Sequence, residues 1–272
     1  IGWPADQLPQ RGTFNLQQWP GGIVPFEWDA NVSAANRLQM ISAMNLWQNV
    51  ANITFQLRNG EANYIHIQSA TFNLSSGIGM IGGRQDIFIT SWTNIFIQAH
   101  ELAHALGFFH EQQRSDRNTY VQIESANFGL GGGAIAYGPY DFDSVMHYGQ
   151  CFFSACNPCN GEANCRTITV RSPWDTDWQA NIGQRNHLSD MDQLTMSFLY
   201  PETNWRFVDQ AWGGGETGAF LTPFDTVAEG VTSTPAGGTL WIQPSAQTYP
   251  AATTYTKAMF IRAPLGGVRL GS

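Results

Sequence analysis

Polar and apolar positions alternate along Gly22–Asp29 (GIVPFEWD), with Val24, Phe26 and Trp28 on one side. A period of two predicts a strand. The period changes in SAANRLQMISAMNLWQNVAN, where Leu38, Ile41, Met44 (or Ala43), Leu46 and Val50 recur at helical spacing. This predicts a long amphipathic helix, with Ser33 placed to cap its N-terminus. Alternation returns in ITFQL (Ile53–Leu57) and YIHIQSA (Tyr64–Ala70), as in half-buried strands, and DIFIT (Asp86–Thr90) reads as a further strand. A second helix is expected from about Thr93 to Leu106. NFGLGGGAIAYGPYDFDS is turn-rich, and its glycine cluster Gly129–Gly133 reads as a flexible loop. HLSDMDQLTMSFLYP predicts a late helix with Ser189 near its N-cap and Pro201 as its stop.

Beyond Pro201 helix formers thin out, and Gly, Thr, Pro and aromatic residues dominate. The pattern there predicts short strands joined by tight turns. It divides the chain into residues 1–202 and a small β-rich module, 203–272, too short for a large core of its own.

Composition narrows the class. Apolar residues make up 43% of the 272, and charged residues only 12%, about half the usual fraction. With ten Trp and 28 Gly, the mix suits a rigid secreted protein. The net charge is −8 and no basic stretch is present, which argues against nucleic acid as a partner. No apolar run approaches the ~20 residues of a membrane span. The sequence opens at Ile1 without Met or leader and reads as a processed chain, with any inhibitory pro-segment out of view. All four cysteines, Cys151, Cys156, Cys159 and Cys165, fall within fifteen residues. They suit either two disulfides, in a pairing the sequence does not choose, or a four-cysteine zinc knuckle. The extracellular character favours disulfides.

The chemistry concentrates in HELAHALGFFHEQQRSDR (His100–Arg117). Histidines four apart on a helix project from one face, so His100 and His104 can share a metal ion. Glu101 can then address a metal-bound water without being a ligand. His110 is out of reach of a continuous helix, since ten residues rise about 15 Å. Gly107 resolves this, because glycine tolerates the left-handed conformation that ends a helix and lets the chain turn back. H-E-x-x-H-x-x-G-x-x-H resembles the metzincin signature. That resemblance implies a methionine turn beneath the imidazoles, and Met146 in DSVMHYG is the candidate for it. Of the remaining histidines, His66 reads as a sheet residue, His187 as a surface residue, and His147 as part of the turn. Asp175 and Asp177 in WDTDW read as a solvated acidic loop.

Glu111 directly after the third histidine, the following QQRSDRNTYV, and SVMHY together resemble the astacin family of metalloendopeptidases. The resemblance runs from Trp19 to Pro201. It implies an α+β fold, with a twisted mixed sheet and active-site and backing helices in two subdomains flanking a cleft. It implies one catalytic Zn2+ held by His100, His104 and His110, with Glu101 as base. Tyr148 would be an added ligand that swings away to stabilise the oxyanion. The implied function is a secreted zinc endopeptidase acting on proteins and peptides. A catalytically impaired zinc-binding adhesin or pseudo-protease is the alternative.

Three features depart from the family. The usual long-range cysteines are missing, and the local cysteine cluster stands where the family builds part of its primed-side substrate wall, which the stapled loop is expected to shape. About nine extra residues precede the aligned start, which leaves the partner of Glu111 open between the amino group of Ile1 and another group. The C-terminal segment weakly resembles one coil of a parallel β-helix. DIFIT is the expected edge strand for substrate pairing.

Overall fold

The computed structural model describes residues 17–124, 138–250, 255 and 257–271. Ile1 and the cluster Gly129–Gly133 lie outside the described residues. Contacts divide the chain into two compact units, with the division between Met196 and Ser197.

The first unit starts with β1 (Ile23–Trp28) and α1 (Ala34–Gln48). Ser33 caps α1, its hydroxyl accepting from the Asn36 N–H. The strands β2 (Thr54–Leu57), β3 (Tyr64–Ser69), β4 (Leu74–Ser75) and β5 (Arg84–Ile89) follow. They form one sheet in the order β2-β1-β3-β5-β4. All neighbours are parallel except β4, which runs antiparallel to β5. A parallel sheet buries its central strands, and Ile65, Ile67, Ile87 and Ile89 are fully buried. β5 is therefore an inner strand, paired on both sides, and the edge on its side of the sheet belongs to β4. This corrects the expectation for DIFIT: the short Leu74–Ser75 segment, which lacks a strand-length pattern, folds over and covers it.

α2 (Ile95–Leu106) follows and packs on α1. Asn94 caps its start, accepting from the Phe96 N–H. Two tryptophans tie the helix down. The Trp47 indole donates to Ala99 O at 2.9 Å, and the Trp19 indole to Ala105 O at 2.8 Å. The second bond satisfies one of the carbonyls that a helix C-terminus leaves without an internal partner.

The antiparallel pair β6 (Val121–Ile123) and β7 (Ile168–Val170) brackets the methionine turn in sequence. Val121, Tyr140, Phe142, Ile168, Val170 and Ile182 form a second core there. WDTDW is a helical turn, α3 (Asp175–Trp178), rather than a loop. α4 (Asp190–Leu199) is the late helix, and the Ser189 hydroxyl accepts from the Asp192 N–H at its start.

The second unit contains β8 (Trp205–Val208), α5 (Val227–Ser233), β9 (Thr239–Ile242) and β10 (Phe260–Arg262). Its three strands are parallel, in the order β10-β9-β8. Tight turns cannot join parallel strands, so the connections are long and the first carries α5. Val208, Val227, Val231, Leu240, Ile242 and Tyr249 form its core. No helix among the described residues is long and apolar enough to cross a membrane.

Candidate metal centre and cleft

α2 sets the first two imidazoles on one face. Gly107 then ends the helix at φ 121°, its N–H bonded to Ala103 O and His104 O. The chain reverses through Phe108 and Phe109, and His110 returns to the same place. One ring nitrogen from each of His100, His104 and His110 lies within 4.8 Å of the other two.

The other ring nitrogens are all occupied. His100 Nδ1 lies 2.8 Å from Val145 O, and His104 Nδ1 lies 2.7 Å from Phe108 O. His110 Nδ1 is 3.0 Å from the Gln113 side-chain oxygen. Each partner is an acceptor, so each Nδ1 carries the proton and each Nε2 presents a lone pair. Burial holds all three imidazoles below their ordinary pKa, His104 at about 4, so they are neutral near pH 7. His104 Nε2 and His110 Nε2 stand 3.1 Å apart with their lone pairs facing. That contact is repulsive unless a cation lies between them. Two nitrogens on one tetrahedral zinc at 2.0–2.1 Å are about 3.3 Å apart. The donor set therefore suits a zinc ion.

Glu101 is buried with them, at 6% exposure. Burial raises its carboxyl to about 7, against the pull of the Ser75 N–H and of Arg185. Tyr148 closes another side. Its ring centroid lies 4.2 Å from that of His110, and the Tyr148 N–H donates to Gln112 Oε1 at 2.9 Å. One cavity is lined by all three histidines together with Glu101, Tyr148 and Arg185.

Met146 is fully buried, in a turn held by Asp192. Asp192 accepts from the Ser144 hydroxyl at 2.6 Å and from the Val145 N–H at 2.8 Å. The same Val145 offers its carbonyl to His100, so the aspartate orients an imidazole through one residue.

Glu111 points away from the metal centre. Its carboxylate accepts from Arg114 Nη1 at 3.1 Å and from the Asp141 N–H at 2.8 Å. Arg114 also grips Asp116 with two bonds, at 2.9 and 2.8 Å. Burial raises Glu111 to about 7 and Asp141 to about 8. Among the described residues the partners of Glu111 are thus an arginine three positions on and a backbone amide.

The cysteines pair as Cys151–Cys159 and Cys156–Cys165, so two overlapping cross-links staple residues 151–165. His66 lies in β3 with its two ring nitrogens 2.9 Å from Glu27 and 3.2 Å from Asp29. His187 sits at the surface beside Asp143. His147 is buried against the Tyr140 hydroxyl. Neither His66 nor His187 joins the cluster.

Residues 12–132 and 134–201 match the model of the astacin peptidase family. The chain belongs to that family. It is therefore a member of a metalloendopeptidase family whose fold is α+β. It is 32% identical to zinc metalloproteinase nas-14 of Caenorhabditis elegans over 203 residues, 69% of this chain and 38% of that protein. It is 31% identical to Tolloid-like protein 1 of Mus musculus over 209 residues, 72% of this chain. The match covers only 20% of that relative, so the chain spans well under half the length of both. Among solved structures it resembles high choriolytic enzyme 1, a hatching enzyme zinc-protease of Oryzias latipes. That likeness has TM-score 0.58 at 28% identity and covers 74% of this chain and 97% of the other.

Several site residues had no signal in sequence. Gln113 is part of a run of two glutamines, and nothing local marks it as the acceptor for His110. Ser75 lies in a two-residue strand, and Arg185 lies far downstream of the histidine motif in a stretch without metal-ligand spacing. Only folding brings them to the cavity.

Proposed function

We propose that the protein is a secreted zinc endopeptidase that cleaves internal bonds of proteins and peptides. His100, His104 and His110 would hold zinc through Nε2, with Tyr148 as an additional ligand in the resting state. One observation carries this: three neutral imidazoles converge with free Nε2 lone pairs beside the buried carboxyl of Glu101. When bound, zinc polarises a carbonyl oxygen and lowers the pKa of a water toward ~7.

Glu101 takes a proton from the attacking water and later delivers it to the leaving amine. Tyr148 donates a hydrogen bond to the developing oxyanion, a role that suits its phenol, which burial keeps protonated. An extended substrate pairs with the open edge of β4, beside the Ser75 N–H that faces Glu101. Two disulfides suit an oxidising compartment, which supports secretion. We place the catalytic function in the first unit and treat the second, from Ser197 onward, as a separate module. A pro-segment remains compatible with this reading.

Casein hydrolysis with and without 1,10-phenanthroline tests the assignment. Activity should disappear with the chelator and return with zinc. Glu101→Gln should keep one zinc per chain and lose turnover by about 10²–10⁴-fold, the usual worth of a positioned acid–base group. Full activity in that variant would overturn the role of Glu101. Zinc binding without any hydrolysis by the parent chain would favour a pseudo-protease.

A further inference from the structure

Two phenylalanines stand at the mouth of the cleft, where apolar side chains meet water. Phe152 is 41% exposed and Phe153 is 66% exposed. Both line the cavity that holds the histidines. Their rings form a connected surface with Tyr148. Phe152 stacks on Tyr148 with centroids 5.0 Å apart and planes 21° from parallel. Phe153 lies 5.8 Å from Tyr148 and 6.2 Å from Phe152. The Arg185 guanidinium sits 5.9 Å from the Phe152 ring, on the same cavity.

The backbone here is held against its own preference. Phe153 has φ +58°, the only described non-glycine residue in the left-handed region. A bulky residue there is strained, and such strain persists only where the surroundings impose it. The surroundings do impose it. Cys151–Cys159 starts next to Phe152, and Cys156–Cys165 starts three residues after Phe153. The Thr167 hydroxyl donates to Phe152 O at 2.8 Å, and the Ser154 N–H donates to Cys151 O at 3.1 Å. Two interlocked cross-links and a set of backbone bonds thus fix a strained, exposed aromatic at the lip of a cleft. Neither core packing nor solubility calls for that arrangement. An exposed large apolar surface at a cavity rim is a binding surface.

We propose that Phe152 and Phe153, held by the stapled loop, form a subsite that selects a large apolar side chain, aromatic or branched aliphatic, near the scissile bond. This rests on the peptidase reading above. The cavity supplies an aromatic wall, Tyr148 continues it inward, and the cross-links pre-organise it, so little ordering accompanies binding.

The test separates recognition from turnover. Fluorescein-labelled eight-residue peptides, alanine-based with a single Phe moved along the sequence, are titrated against zinc-loaded Glu101→Gln protein by fluorescence polarisation. One Phe position should bind about 10-fold or more tightly than the all-alanine peptide. Phe153→Ala should abolish most of that preference while changing the all-alanine peptide little. Phe153→Gly should do the same with a Tm no lower than the parent, because glycine relieves the left-handed strain. A Phe preference that survives both substitutions, or none at any position in the parent, overturns the subsite. A lower Tm for Phe153→Gly would reassign the residue to folding. Binding preference without casein hydrolysis by the parent would keep the subsite and reject the peptidase reading instead.

Discussion

Asp141 shows how a single half-buried carboxyl can set a pH response. Burial, with Asp192 and Glu111 nearby, raises it to about 8, while the Ser189 hydroxyl and the Asp143 N–H stabilise its charge. The folded form therefore keeps a proton that the unfolded chain, at the ordinary value of 3.8, has already lost. A raised pKa contributes stability fully below about 4, and that contribution fades as pH climbs through 8. Asp141→Asn copies the protonated acid and should not fade. Its Tm relative to the parent should rise steadily between pH 5 and pH 8.5, measured by thermal melts in matched buffers. A constant difference across that range would mean Asp141 is ionised in the fold. Buried imidazoles such as His104 titrate in both proteins and cancel from the comparison.

At the scale of elements, the methionine turn is pressed against the segment Ile182–Arg185. Gly183 has φ +85°, and a Cβ there would lie 2.2 Å from Gly149 N and 2.9 Å from Tyr148 C. These are backbone atoms and cannot step aside as a side chain would. Gly183→Ala should cost roughly 2–4 kcal/mol through strain and overpacking together. It should also lower kcat more than it raises KM, since the displaced backbone is that of Gly149 and of Tyr148 bonded to it. Melting curves and steady-state kinetics on casein peptides check both halves; an unchanged kcat would separate the turn from catalysis.

These elements also show what sequence could reveal. α1 and α4 were legible because Ser33 and Ser189 stand as polar caps before apolar periodicity. Gly107 was legible because a left-handed helix end has few candidate residues. The strand order was not, because parallel pairing leaves no local trace and the two-residue edge strand β4 has no period at all. The three histidines could be read because local geometry relates them. Arg185, Ser75 and the partners of Glu111 could not, because they reach the cleft by tertiary folding alone.

For the whole molecule, the question is where the second unit begins. The composition shift places it after Pro201, yet the aromatic core of that unit starts earlier. Phe198 is fully buried, with ring centroids 5.0 Å from Phe207, 5.3 Å from Phe220 and 4.9 Å from Trp241. Trp205 completes the cluster at 6.2 Å. Removing a buried aromatic ring typically costs about 3–5 kcal/mol. Phe198→Ala should therefore destabilise the unit that follows it in sequence. A chain ending at residue 202 should suffer for the same reason, because it keeps Phe198 but loses these four rings and exposes a large apolar side chain. A chain beginning at residue 203 loses the ring itself, whereas one beginning at Asp190 retains it. The Asp190 version should melt cooperatively and the 203 version should not, as followed by near-ultraviolet circular dichroism of the shared tryptophans. Equal cooperativity would return the boundary to Pro201 and make Phe198 a bystander.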